Sequence, residues 1–114
     1  MELRLNIYSR ERDEKGKRKI AKVYKTDSYE LLYGTVEDIL NLFDMADLKN
    51  EDEIINIIKD AKNQVNDLLK DIFIGLKDEE LRNTNFDEIV IVIMNVLKSS
   101  LKEIIGKAKN VMRV

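Results

Sequence analysis

Cysteine, histidine, tryptophan and proline are all absent from this 114-residue chain. Without cysteine there is no disulfide framework, no thiolate nucleophile and no thiolate-held metal. Without histidine the chain lacks the commonest general base and the commonest metal ligand. Ser99 and Ser100 therefore have no imidazole to activate them. Glycine occurs only at positions 16, 34, 75 and 106, a spacing that forms neither a dinucleotide fingerprint nor a P-loop. Carboxylates are numerous but scattered, and no calcium-loop pattern occurs among them. Glu79 and Glu80 are adjacent, so on a helix they point about 100° apart rather than facing each other as a catalytic pair. No catalytic, cofactor-binding or metal-binding residue is assigned, and the chain is not expected to be an enzyme.

Long apolar runs are missing too. No stretch of about 18 apolar residues exists to span a membrane, and MELRLNIYSR lacks a signal-peptide core. An intracellular protein is expected. The 20 basic and 22 acidic side chains leave a net charge of −2, which argues against broad nucleic-acid binding. Apolar residues at 44% and charged residues at 37% describe a folded chain rather than a disordered one. The length suits one core, so residues 1–114 are read as a single domain.

What is present is periodicity. Leu3, Leu5 and Ile7 alternate with Glu2, Arg4 and Asn6, and Ile20 to Tyr24 alternate among lysines, a period of two that predicts strands. The intervening Ser9 to Arg18 reads as a polar hairpin loop with Gly16 in the turn. From Arg10 to Lys19 there are six basic and three acidic residues. Solvation is the ordinary reading of such a run, with phosphate or acid binding as the alternative. No aromatic residue lies within it to stack a base. A hairpin alone is marginal, so it should dock on helices.

Thr35 is the expected N-cap of a helix whose apolar positions, Val36, Ile39, Leu40, Phe43 and Ala46, follow helical spacing. Asn50, with Glu53 three residues on, predicts a capped helix start. Ile54, Ile58, Ala61, Val65, Leu68 and Ile72 then form one stripe, predicting a single helix to Gly75, about 37 Å long. Asp78 to Leu81 reads as one helical turn. Asn85 and Glu88 repeat the capping pattern before a last helix expected to reach Ala108. That helix is apolar nearly all round over its first half, with Ile91 and Met94 outside its two buried stripes. A helix of this kind is either central in the core or covered by a partner, so Ile91 and Met94 are the candidate protein-interaction surface. The fold class is mainly α (α+β): an N-terminal hairpin, residues 1–26, packed on a small bundle of two long and one or two short helices within residues 28–110.

Tyr29-Glu30-Leu31-Leu32-Tyr33 followed by Gly34-Thr35-Val36-Glu37-Asp38-Ile39 resembles the tail assembly chaperones of long-tailed phages (siphoviruses) and prophages of Gram-positive bacteria. Asp71-Ile72-Phe73-Ile74-Gly75-Leu76, with Asp78-Glu79-Glu80-Leu81 directly after it, is similar to the same family. So is a final apolar helix ending in Gly106-Lys107-Ala108-Lys109-Asn110. The ordered set covers nearly the whole chain, although Ile74 stands where a proline is often found. The resemblance implies a non-catalytic protein of the bacterial host cytoplasm, absent from the mature virion. Its implied partners are the tape-measure protein, kept soluble by the chaperone, and the tail-tube protein that polymerises around it. Two other readings stay open: a homo-oligomeric structural or adaptor protein using the same apolar face, and a small regulatory nucleic-acid binder using the basic hairpin tip.

Overall fold

The computed structural model describes residues 2–44, 46–47 and 49–98. In them the chain runs β1 (Leu3–Arg12), β2 (Arg18–Thr26), α1 (Tyr33–Phe43), α2 (Glu51–Asp60), α3 (Lys62–Ile72), α4 (Asp78–Leu81) and α5 (Phe86–Val96). The α+β architecture expected from periodicity is the one observed: an antiparallel two-stranded hairpin followed by helices. The remainder of the last expected helix, Leu101 to Ala108, and the basic tail lie outside the described residues.

The hairpin is longer than its apolar alternation suggests. Leu3, Leu5 and Ile7 are buried, as the period of two requires. The strands nevertheless continue to Arg12 and from Arg18, so only residues 13–17 form the loop. Backbone pairing needs no apolar side chains, and the turn supplies its own order. The Asp13 carboxylate accepts from the amides of Lys15 and Lys17, each at 2.9 Å. Gly16 takes φ +79°, a conformation open to glycine at little cost.

Three helical boundaries differ from the sequence expectation. Thr35 is not an N-cap; it is buried within the first turn of α1, and the N-cap is Leu32. The expected single long helix is two segments, because Ala61 leaves the helical region at φ −114°, ψ 45°. The hydrogen-bond ladder still passes through it, from the Ala61 amide to the Ile57 carbonyl and from the Val65 amide to the Ala61 carbonyl, both at 3.0 Å. The break leaves the stripe intact: Ile54 and Ile58 on α2, Ala61, and Val65, Leu68 and Ile72 on α3 are all buried. A straight rod would carry part of that stripe past so small a core; a bend lets both halves reach it. At the start of α2 the expectation holds, since Asn50 Oδ1 accepts from the Glu53 amide at 3.2 Å.

Helix α3 ends at Ile72, earlier than Gly75, because Phe73 turns extended and sends its ring into the core. Gly75 then makes the turn at φ +87°, and Leu76 is buried again. This elbow is where β2 docks. The Tyr24 ring lies 6.2 Å from that of Phe73, tilted by 57°. Its hydroxyl donates to Glu80 Oε1 at 2.6 Å. Glu80 also accepts from the Lys77 amide at 3.1 Å, capping α4, and faces Lys22 at 3.5 Å.

The Tyr24 hydrogen bond is the main reason the Glu80 carboxyl sits below the ordinary glutamate value, against burial that pulls it up; the Lys77 amide and Lys22 add to the lowering. A depressed carboxylate stabilises the fold above its unfolded pKa of about 4.3 and loses that contribution as pH falls through the folded value. Glu80→Gln is therefore expected to cost about 1–3 kcal/mol at pH 7. Urea titrations from pH 7 to pH 3 should show the gap to wild type closing in the acid range; a gap independent of pH would contradict the assignment.

Helix α5 is the central helix, packed on β1 and on α2, with Val92, Ile93, Val96 and the following Leu97 almost fully buried. Asn85 precedes it but makes no side-chain cap, and Glu88 does not fold back as a capping box would. Glu88 instead crosses to β1, accepting from the Tyr8 hydroxyl at 2.6 Å and from the Asn6 amide at 3.3 Å. Beside it the Tyr8 amide donates to the Asn83 carbonyl at 2.8 Å. Two strand-edge amides that would otherwise invite a further strand are thus satisfied by the helical layer.

Candidate protein-interaction surface

Residues 27–32 lead from β2 to α1 without regular structure. Tyr29 and Leu31 pack against the core, which holds this connector down. At its end the Leu32 amide donates to the Asp71 carboxylate of α3 at 3.0 Å, anchoring the start of α1 beside the elbow. The Leu32 side chain points outward, 68% exposed, and Tyr33 after it is 84% exposed. Across from them stands Ile74, 92% exposed. Its exposure follows from the elbow: Phe73 and Leu76 are committed to the core, so the residue between Phe73 and Gly75 faces solvent.

Leu32, Ile74, Tyr29 and Ile72 line one open groove of about 650 Å³, with Glu30 and Asp71 along it. Its chemistry is an apolar lining with an acidic margin. A second hollow, about 440 Å³ between α2, α3, α4 and α5, is lined by Ile58, Val65 and Leu81. These side chains already belong to the core, and Phe86 is the large apolar group there that is exposed.

The two residues singled out from the sequence lie elsewhere and are not equivalent. Ile91 is on the outer side of α5, 58% exposed. Met94 is half-buried and packs against the core, so it offers a partner only part of its surface. The structure does not bring Leu32 or Ile74 to them as lining of one groove. Sequence reasoning passed over Leu32 and Ile74 because both sit where periodicity stops. The available signal was their position: two branched aliphatics at segment ends, each within two residues of a glycine.

Among the described residues no group of three His, Cys, Asp or Glu side chains is arranged to hold a metal ion. Every buried side-chain nitrogen or oxygen there has a hydrogen-bond partner. No described helix is long and apolar enough to cross a membrane. No protein-family model matches the chain, and neither a curated protein nor a solved structure matches it.

Proposed function

We propose that this protein is a non-catalytic assembly chaperone of a phage or prophage, acting in the bacterial cytoplasm to keep an apolar helical client soluble. The observation that carries the reading is the exposure of Leu32 and Ile74 on one groove in a chain of 37% charged residues. Large aliphatic groups held outward on a well-packed framework are a standing liability in water. A groove of this kind accepts the apolar face of an amphipathic helix, and the acidic margin of Glu30 and Asp71 favours a client whose flanks carry Lys or Arg. The resemblance of the elbow and of the segment from Tyr29 to Ile39 to tail assembly chaperones supplies the client class: the tape-measure protein, with the tail-tube protein assembling around it.

Co-expression with an aggregation-prone helical segment of a tape-measure protein tests the proposal. The wild-type chain should hold the segment in the soluble fraction. Leu32→Asp combined with Ile74→Asp should lose most of that capacity at unchanged far-UV circular dichroism, since neither side chain is part of the core. Ile91→Asp measures whether the outer side of α5 takes part; Met94 is unsuitable for the same substitution because an aspartate there would disturb the core. Solubilisation at the wild-type level by the groove variant would overturn the reading. A discrete oligomer in light scattering without any client, dissociated by the same substitutions, would favour the homo-oligomeric adaptor instead.

A further inference from the structure

On the hairpin, away from the apolar groove, positive charge is concentrated without an ion-pair partner among the described residues. Arg10 and Arg12 from β1, Arg18 from β2 and Arg82 after α4 line one cleft of about 550 Å³, together with Asn83 and Asn85 of the turn into α5. No carboxylate lines this cleft. The ion pairs among the described residues are Lys22 with Glu80 and Lys70 with Asp78, so none of the four arginines is in one. Arg12 does donate to the Gly16 carbonyl at 3.0 Å, which holds its side chain along the loop and leaves further guanidinium donors unused.

This arrangement does not serve folding. Arg12 and Arg18 are direct cross-strand partners, and like charges placed opposite each other destabilise a strand pair. Carboxylates are available in a chain with a net charge of −2, yet Glu88, which touches the cleft residue Tyr8, is taken up by the Tyr8 hydroxyl and the Asn6 amide. The same network, with the Tyr8 amide bonded to the Asn83 carbonyl at 2.8 Å, brings Arg82 against the hairpin arginines. Four guanidinium groups from three parts of the chain are therefore assembled by tertiary contacts.

We propose that this cleft is a binding site for a compact, multiply charged phosphate group, as carried by a nucleotide or by inorganic polyphosphate. The guanidinium fork matches two phosphate oxygens at once, whereas the Asn83 side-chain amide at the margin already donates to the Glu79 carbonyl at 3.1 Å. Residues 82–85 bound the site on the helical side, and Tyr8 is its one aromatic lining residue. Extended nucleic acid would call for a longer basic track with several rings for stacking. Compact charge fits better.

Isothermal titration of the full chain at low ionic strength, with inorganic tripolyphosphate, ATP, a twelve-residue oligothymidylate and a hexaglutamate peptide, tests the assignment. Tripolyphosphate should bind one to one, more weakly as salt is raised. Affinity should drop about 10-fold or more in Arg12→Ala combined with Arg18→Ala, and also in Arg82→Gln, which lies off the hairpin. Lys25→Ala, at the other end of β2, should leave it unchanged. Arg12→Lys keeps the charge and the strand, so a loss there isolates the fork from any folding defect. Equal binding of ATP and tripolyphosphate would identify the phosphate chain alone as the ligand; tighter ATP would identify a nucleotide. The proposal is overturned by absent saturation, by an indifferent Arg82→Gln, by an equal loss in Lys25→Ala, by matching hexaglutamate affinity, or by tighter binding of the oligothymidylate than of tripolyphosphate.

Discussion

Phe73→Ala is expected to destabilise the protein by about 3–5 kcal/mol, measured by urea denaturation at neutral pH. Phe73 is 1% exposed and stands where three parts of the fold meet: the end of α3, the elbow before α4, and Tyr24 of β2. Truncation would remove most of its buried surface and leave a cavity that the surrounding elements can close only by shifting inward from their other contacts. It would also strip Tyr24 of its ring contact, so the Tyr24–Glu80 hydrogen bond would lose its lateral support. A domain of this size has about 5–15 kcal/mol of stability in all, so the variant should approach the threshold of folding. Phe73→Leu keeps an apolar filler of smaller volume and should cost less than half as much. A loss below about 1 kcal/mol for the alanine variant would mean that the elbow packs around other residues.

Glu88→Ala is expected to cost about 2–3 kcal/mol, because one side chain ends two hydrogen bonds from β1 and carries charge in both. The alanine would leave the Tyr8 hydroxyl and the Asn6 amide facing the start of α5 with no acceptor. Glu88→Gln should recover part of the loss, since its single carbonyl can serve only one of the two donors well. The same contact makes a spectroscopic prediction. Tyr8 is held above the ordinary tyrosine value, first by donating to Glu88 and then by burial. In Glu88→Ala its absorbance titration should move down towards about 10. Because the shift in the folded state is upward, its stabilising contribution is complete below the unfolded pKa and disappears as pH rises through the folded one. The stability gap between the two proteins should therefore hold from neutral pH to about 10 and narrow above it.

How far the fold was legible varied from element to element. The α2 start was readable because an N-cap is a local device: Asn50 and the Glu53 amide need only each other. The core stripe from Ile54 to Ile72 was readable because side-chain period follows from backbone geometry alone. The same stripe concealed the break at Ala61, where neither glycine nor proline marks the site and the reason for bending is the shape of the core. Asn85 and Glu88 carry the same local pattern as Asn50 and Glu53, yet Glu88 reaches Tyr8 of β1, 80 residues away in sequence, at 2.6 Å. The local donor, the Asn85 amide, was outcompeted by tertiary donors. The strands also ran past their apolar alternation, since the turn at Asp13 and Gly16 holds the charged ends together despite register shifts on either side of Tyr8.

The surfaces divide in the same way. Sequence pattern pointed to Ile91 and Met94 because they fall off the stripes of one helix; the structure leaves the first outward and tucks the second partly into the core. It could not point to Leu32 and Ile74 as neighbours, because the bond from the Leu32 amide to Asp71 that brings the start of α1 to the elbow spans 39 residues. The basic run from Arg10 to Lys19 was visible as charge, but Arg82, which turns a tip into a cleft, comes from another element.

By itself the sequence determined the hairpin-then-helices order and most of the core stripe from Ile54 to Ile72, which follow from the periods of helix and strand, although Ile20 and Phe86 stand exposed. Tertiary structure decided where helices bend or end, which capping acid was diverted to a strand, and which exposed groups share a groove. The physical reason is range: periodicity and caps act within one or two turns, whereas a groove or a charged cleft exists only once distant segments have packed.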